Sequence, residues 1–250
     1  MKNKSEYIKF ILPLLIIFFW FIFTYTEKVP PTSLPSLSAV KDTFIEILKS
    51  GQLSNDLSLS LRRVLAGFFI SSILGISLGI FMGISSKAKE FFQLTLTAIR
   101  QIPMIAWIPL IILWAGIGEV SKIVVILFAA TFPIVVNTMG GVDSTSETYL
   151  EVAKMYGLSK KDTFFKVYLP SALPNIFTGL RLGLGASWMA VVASELIASS
   201  SGIGYRLNDA RSLMRSDVVI VCMIIIGLVG LLMDKLIVLI SHELTPWKKN

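Results

Sequence analysis

Few side chains in this sequence are suited to covalent chemistry. The chain has one cysteine, Cys222, which can form no disulfide within the chain, and one histidine, His242, which leaves little scope for a histidine-based metal or catalytic site. The segment GIGEVSKI at 116–123 contains glycines and a lysine, but not at the G-x-x-x-x-G-K-[ST] spacing of a phosphate-binding loop. We therefore predict no catalytic residue, no metal site and no cofactor on this chain.

Two ionisable residues within an apolar stretch are better candidates for a functional role. Arg181 and Glu195 are separated by 13 uncharged residues, fewer than the roughly 20 that a helix needs to cross a bilayer. At least one of them must lie in or near the membrane interior, where ionisable side chains are functional candidates. We predict both as possible residues of a translocation pathway. Arg181 could instead extend to the membrane surface or pair with a loop carboxylate, and Glu195 fits a structural or gating pair better than an anion ligand.

The composition indicates that these residues belong to an integral membrane protein. Hydrophobic residues make up 54% of the 250-residue chain and charged residues 16%, which is well below the usual quarter. A soluble domain of this size would need more polar surface. The net charge of +7 is then better explained by basic loops facing anionic lipid than by nucleic-acid binding.

Six apolar runs predict six transmembrane helices. The first could be a signal peptide, but it ends in Thr24, Tyr25 and Thr26 without a small-x-small cleavage site, so we predict a retained anchor. A proline-rich external loop follows, with a short helix near 38–49. The predicted spans cover about 10–26, 64–84, 102–118 and 123–142, with one further span inside each of 174–198 and 218–241.

The distribution of basic residues predicts the orientation. Six spans place both termini on one side of the membrane. The segments on that side hold 12 Lys and Arg residues, against 7 in the opposite segments, so the positive-inside rule places both termini in the cytoplasm. The inside set includes Lys248 and Lys249. The outside set includes Lys28 and three arginines at 206, 211 and 215 that reduce the contrast.

Small residues recur every four positions in the second predicted span. On a helix this spacing forms one smooth stripe, along which another helix can approach closely. The fifth span repeats the pattern. We predict helix-packing faces at Gly67, Ser71, Gly75, Gly79, Gly83, Gly179 and Gly183.

A polar segment at 144–170 separates the fourth and fifth spans. Residues 144–147 and 159–162 both have the Ser-x-x-acid form of a capping box, and Gly157 lies where a helix C-cap glycine is expected. The second helix should end before Pro170, because the residue before a proline avoids helical dihedral angles. The segment is thus predicted as helix, tight turn and helix, with an apolar face that must be covered by the membrane surface or by another protein.

The spacing within this segment resembles the EAA signature of membrane permeases in bacterial ABC importers. That signature reads EAA, three residues, G, nine residues, I-x-L-P. This chain has EVA at 151–153, glycine at 157 and VYLP at 167–170, with valine replacing the middle alanine and the isoleucine. In that family the loop is the coupling helix that fits a cleft on the ATP-hydrolysing subunit. The resemblance therefore implies a coupling role for Glu151, Ala153, Gly157, Val167, Leu169 and Pro170.

Further segments resemble the branch of this family that imports sulfonates, taurine, nitrate and related small anions. The likeness covers nearly the whole chain from about residue 36. It implies a type I ABC importer permease fold over 36–245, after an N-terminal anchor and the start of an external loop over 1–35. The segments are SLRRVLAGF (60–68), RQIPMIAWIPLIILWAGIGEVSK (100–122), LPSALPNIFTGLRLG (169–183) and SELIASSSGIGY (194–205).

The resemblance also implies the partners. These are a second permease copy in a homodimer, an ATPase subunit that carries the ATP and Mg, an extracytoplasmic substrate-binding protein and the lipid of a bacterial inner membrane. The amino-acid sequence of the third span favours an aliphatic sulfonate as the solute, with taurine, nitrate or another small solute left open. An ATP-independent secondary transporter would need no ATPase, and an intramembrane enzyme would need inward acids or bases that spans two to four lack.

Overall fold

The computed structural model describes residues 2–26 and 29–247, which fold into α-helices joined by short connections, without a strand among them. Lys28, Lys248 and Lys249, which entered the orientation prediction, lie outside the described residues. The helices are α1 (Lys2–Tyr25), α2 (Leu37–Lys49), α3 (Gln52–Ile84), α4 (Ser86–Arg100), α5 (Met104–Ala115), α6 (Glu119–Asp143), α7 (Glu147–Met155), α8 (Lys160–Thr163), α9 (Leu169–Ala198), α10 (Ile203–Ser212) and α11 (Ser216–Leu244), with a π-helical turn at Phe164–Tyr168 between α8 and α9.

Four helices are long and apolar enough to cross a membrane. They are α3, α6, α11 and the continuous helix Lys160–Ala198 that α8, the π-helical turn and α9 form together. Helices α4 and α5 meet the same criterion only as a pair, and α1 adds a shorter apolar stretch, Phe10–Tyr25. These elements correspond to the six predicted spans, so the predicted all-α polytopic fold is confirmed.

The third span differs from the single helix predicted over about 102–118. Helix α5 has only 12 residues, or about 18 Å at 1.5 Å per residue, which is too short to cross the hydrocarbon core. The chain leaves the helical conformation just before Pro103, because proline has no N–H to donate and disfavours helical dihedrals in the residue before it. Helix α4 meets α5 there at an angle of 98°. The span is therefore a bent pair of helices.

Helix α6 forms the centre of the bundle, between α3 and α9. Along α3, a Cβ atom built on Gly67, Gly75, Gly79 or Gly83 would lie within 3.0 Å of an α6 side chain. On the other side of α6, Gly179 and Gly183 of α9 make equally close approaches. The glycines of the predicted stripes thus lie where α3 and α9 pack closely against α6.

The remaining helices close the outer parts of this three-helix centre. Helix α11 packs against α9, and the indole Nε1 of Trp188 donates a hydrogen bond of 2.9 Å to the carbonyl of Ile226. Helix α2, predicted near 38–49, contacts α11 through the Thr43 hydroxyl, which donates to Asp217 at 2.6 Å. Helix α10 lies against α9 and α11 at the end of the bundle opposite α7. The three central helices α3, α6 and α9 therefore connect the polar segments at the two ends of the bundle.

Candidate functional site

The segment 144–170 folds as two helices joined by a tight turn at one end of the bundle. Helix α7 ends at a left-handed glycine, Gly157, with φ of +65°. The N–H of Leu158 donates to the carbonyl of Ala153 at 3.0 Å, and the N–H of Gly157 donates to Lys154 at 2.9 Å. This pair of bonds is the Schellman ending of a helix, in which a glycine satisfies the last carbonyls. The predicted glycine turn is confirmed.

The two predicted capping boxes have different outcomes. Ser159 caps α8, because its hydroxyl accepts a hydrogen bond of 3.1 Å from the N–H of Asp162. The prediction at 144–147 was wrong. Helix α6 continues to Asp143, and the Ser144 hydroxyl donates back to Gly141 within that helix. Helix α7 starts after Ser146, whose side chain makes no capping bond.

The predicted helix end before Pro170 was also wrong. The helix that begins at Lys160 passes through Pro170 and continues to Ala198 without a break. The π-helical turn Phe164–Tyr168 lies immediately before the proline, and the N–H of Leu169 donates to the carbonyl of Phe164, five residues back. A wider turn of this kind makes room for a proline ring that an ordinary α-turn would exclude. The segment is thus joined directly to a membrane-crossing helix.

An apolar face of this helical pair is exposed in the isolated chain. Met155 is 85% exposed, Tyr156 81% and Val152 44%. Beside them a groove of about 810 Å³ runs between α7, the start of α9 and Trp247. Side chains this apolar are costly in water. The segment therefore presents an apolar surface that the membrane surface or another protein would have to cover.

The residues predicted to couple to an ATPase are distributed around this groove. Ala153, Val167 and Pro170 line it. Ala153 is buried, with 4% of its surface exposed. Glu151 is exposed on α7, and Gly157 is exposed at the turn. Leu169 packs against the hydrophobic cluster of Val142, Ala172 and Ile176. The structure brings these residues to one region, and their coupling role stays a prediction.

Arg181 already has a partner of opposite charge. Its guanidinium donates to the Asp234 carboxylate on α11 through Nε and through Nη2, the latter at 2.7 Å. The sequence had offered a loop carboxylate as one possible partner, and the observed one lies on a helix. A pocket of about 170 Å³, lined by Thr178 and His242, lies next to the pair. A role for Arg181 in a translocation pathway stays a prediction.

Glu195 lies in a buried polar cluster at the opposite end of the bundle from α7. Its side chain is fully buried and accepts from Arg63 Nη1 at 2.6 Å, from the Ser60 hydroxyl at 2.8 and 2.9 Å, and from the N–H of Gly204 at 3.0 Å. Gly202 and Gly204 are required here, since a Cβ on either would approach Glu195 to less than 3.0 Å. Glu195 thus has the buried charge partner that a structural or gating pair requires. Both its oxygens are engaged, so a pathway role would require this cluster to rearrange, and it stays a prediction.

Sequence reasoning missed the other members of this cluster. Asp56, Ser60 and Arg63 are buried on α3 and lie on the face that Gly67 continues. Their spacing of four, three and four residues places them on one side of the helix, and that spacing was the available indication. The second predicted span began at residue 64 because an apolar run is taken to end at the nearest charged residue, here Arg63. The polar end of the stripe therefore fell outside it.

Comparison with known proteins agrees with this architecture. Residues 71–245 match the family model described as binding-protein-dependent transport system inner membrane component. A putative ABC transporter permease protein of Methanocaldococcus jannaschii is 39% identical over 254 residues, covering 99% of this chain and 94% of that protein. The putative aliphatic sulfonates transport permease protein SsuC of Bacillus subtilis is 37% identical over 240 residues, covering 96% of this chain and 87% of that protein.

The fold is shared with a solved ABC transporter. A chain in the crystal structure of an amino acid ABC transporter with histidines superposes with a TM-score of 0.66, covering 80% of this chain and 98% of that chain at 16% identity. At that identity the likeness concerns the fold alone. The predicted resemblance is confirmed by the family match and by the relatives, and the predicted type I importer fold by the superposition. The chain therefore belongs to the binding-protein-dependent transport system inner membrane components, the multi-pass permease subunits of ABC importers.

Proposed function

We propose that this chain couples ATP hydrolysis on a separate subunit to the import of an aliphatic sulfonate. Two copies would form the membrane channel, two ATPase subunits would dock at 144–170, and a substrate-binding protein would deliver the solute from outside. The observation that carries the coupling proposal is the exposed apolar helical pair with its groove of about 810 Å³. The second helix of this pair, α8, is continuous with a membrane-crossing helix.

The proposal places the coupling segment in the cytoplasm. Helix α6 leads directly into α7, so α7 lies at the side of the membrane where α6 ends. Lys154, Lys160 and Lys161 lie in this segment and are exposed, as expected for a loop that obeys the positive-inside rule. The ends of α3 and α6 that carry Arg63 and Glu119 would then face the outside. Both chain termini would be cytoplasmic, and the ATP and Mg would be bound by the partner ATPase.

The mechanism would transmit movement along the helix that starts at Lys160. Closure of the ATPase dimer on ATP would shift the docked helices α7 and α8. Because α8, the π-helical turn and α9 are one helix, that shift would tilt α9 against α6. The contacts between them are made by Gly179 and Gly183, whose lack of side chains lets one backbone slide on the other. The bundle would thereby alternate between inward-facing and outward-facing forms.

The solute is proposed from the relatives. The Bacillus subtilis relative bears the name of an aliphatic sulfonates permease and is aligned over nearly the whole of this chain. The substrate test is uptake of radiolabelled ethanesulfonate by liposomes containing the complete importer, in competition with taurine and with nitrate. We expect excess unlabelled ethanesulfonate to abolish uptake, and taurine and nitrate to inhibit more weakly. Stronger inhibition by taurine or nitrate would reassign the solute within the same class of importer.

The coupling test compares two glycines that have the same backbone constraint. Gly157 has φ of +65° and Gly51 has φ of +74°, and a Cβ on either would meet no atom within 4 Å. A valine in this conformation costs about 1–2 kcal/mol at either position. We expect Gly157→Val to insert at near-normal levels but to lose ATPase co-purification and substrate-stimulated ATP hydrolysis in liposomes. Gly51→Val, at the other end of the bundle, should keep both.

A charge reversal tests the docking surface itself. Glu151→Lys should weaken co-purification of the ATPase, whereas Asp42→Lys, at an exposed position on α2, should not. If Gly157→Val and Glu151→Lys both keep full attachment and full stimulated hydrolysis, the segment is only a membrane-surface helix. If Gly51→Val loses as much ATPase attachment and stimulated hydrolysis as Gly157→Val, backbone strain explains both losses. That result would also overturn the proposal.

A further inference from the structure

Two buried cations converge on one exposed carboxylate at the end of the bundle opposite the coupling segment. Arg63 on α3 donates from Nε and Nη2 to the two oxygens of Glu119, at 2.7 and 2.6 Å. Lys122, one turn along α6, places its Nζ 3.2 Å from the same carboxylate. Glu119 is the first residue of α6, where a negative charge is favoured by the helix dipole.

The exposure of the three side chains is unequal. Arg63 is 4% exposed and Lys122 7%, but Glu119 is 60% exposed. In a purely structural buried ion pair both partners are enclosed. Here the two cations are enclosed and the Glu119 carboxylate lies on their solvent side. We call the place that this carboxylate occupies against the two cations the recess. Glu119 can therefore leave by rotation of its side chain without opening the bundle.

The charge balance goes from neutral to positive when Glu119 leaves. With Glu119 in place, the positive charges of Arg63 and Lys122 are matched by Glu119 and Glu195. The neighbouring Asp56 carboxylate is matched separately by Arg206. Without Glu119 the recess keeps two cations against one buried carboxylate. A net positive charge in a nearly buried recess attracts an anion strongly.

The donor geometry selects the class of anion. Three of the five N–H groups of Arg63 remain engaged when Glu119 is removed, because Nη1 donates to Glu195 and Ser201 and Nη2 to the Ser201 hydroxyl. The two freed N–H groups, on Nε and Nη2, form a parallel pair that matches two oxygens of one group. Lys122 supplies a third donor to the same place. A spherical halide cannot use the parallel pair as well as an oxoanion does.

We infer that Arg63 and Lys122 form an anion-binding recess that Glu119 occupies as a tethered competitor, and that a small oxoanion such as a sulfonate displaces it. The inference goes beyond the proposed coupling and shares with it only the outward orientation of this end. Anion arrival would release the contact between the ends of α3 and α6 that Glu119 makes. The site thus links the presence of an anion to the freedom of these two helix ends.

The test measures anion binding to the purified full-length chain, without ATPase or transport. The probe is ethanesulfonate, titrated at constant ionic strength against sodium chloride and followed by microscale thermophoresis. Glu119→Gln removes the competing charge and keeps a side chain of the same shape, whose amide oxygen can still accept from Arg63. We expect ethanesulfonate to bind this variant about fivefold more tightly than the unchanged chain, which is about the upper range for an ion pair whose carboxylate is open to solvent.

Two further variants make the result specific. Lys122→Met in the Glu119→Gln chain keeps the apolar stem and removes the second cation, so the gain in ethanesulfonate affinity should be lost. If the methionine variant is not monodisperse, Lys122→Gln is used in its place. Asp209→Asn, an exposed carboxylate on α10, should bind as the unchanged chain does. Equal affinities for Glu119→Gln and Asp209→Asn, or a gain that survives loss of the Lys122 charge, would overturn the recess while leaving the coupling proposal untouched.

Discussion

Substitution of Gly75 by alanine tests how tightly α3 and α6 are packed. The added Cβ would lie 2.7 Å from Cγ2 of Ile134 and 3.3 Å from the backbone carbonyl of Thr131. Ordinary van der Waals contact starts at 3.4 Å, and rotation of the Ile134 side chain would still leave its Cβ at 2.8 Å, so the two helices must move apart by about 0.7 Å. Overpacking of this kind costs about 1–3 kcal/mol. The better helix propensity of alanine returns about 0.5–1 kcal/mol of that cost.

The matched control is Gly227 on α11, where a Cβ would meet no atom within 4 Å. Gly227→Ala should gain only the helix propensity and should be neutral or slightly stabilising. Thermal unfolding in detergent is measured by size-exclusion chromatography of heated samples. The unfolding midpoint of Gly75→Ala should lie several degrees below that of Gly227→Ala, since a chain of this size loses about 2–4 °C per kcal/mol. Coincident midpoints would refute close packing at the stripe and, with it, the account of α6 as the centre of the bundle.

Three further predictions concern orientation and the two charged sites. In a chain without its native cysteine, a cysteine at Ser159 should react with impermeant thiol reagents only from the cytoplasmic side, and one at Ser200 only from outside; the reverse pattern would invert the proposed topology. Gly202→Ala should sharply reduce the yield of folded protein, because φ is +106° and the added Cβ would meet the buried carboxylate beside it; normal yield and stability would contradict the cluster. Asp234→Arg should impair uptake, and exchange of both charges with Arg181→Asp should restore at least half of it; no restoration would mean that the observed pair is incidental.

Much of the fold could be predicted from the sequence because the membrane imposes a local rule. Every backbone polar group in the hydrocarbon core must be satisfied within its own helix, so a long apolar run is sufficient evidence for a span. The turn at Gly157 was equally local, since a Schellman ending needs only a glycine and the preceding turn. The bend at Pro103 was not predicted as a 98° break, because a proline in a membrane helix is compatible with a kink or with a full interruption, and the neighbouring helices decide between them.

The candidate sites were less predictable because their partners are distant in the chain. Arg63 and Glu195 are 132 positions apart, and Arg63 and Glu119 are 56 apart. No periodicity within one segment reports such a pairing. The error at Pro170 had a different origin, since the rule for the residue before a proline holds for α-helical turns and the chain used a π-helical turn instead. Its tertiary setting, at the base of a membrane-crossing helix, outweighed the local preference.

The continuity of the helix Lys160–Ala198 has a mechanical consequence. Its 39 residues give a rod of about 58 Å, longer than the bilayer is thick. Ser159 caps one end of the rod, and Glu195 is clamped near the other end by the α3 side chains Ser60 and Arg63. If the rod pivots at its midpoint, a tilt of about 10° displaces each end by about 5 Å in opposite directions. Because the helix is continuous between its two ends, a push on the cytoplasmic end would arrive at the far end as torque on the clamp around Glu195.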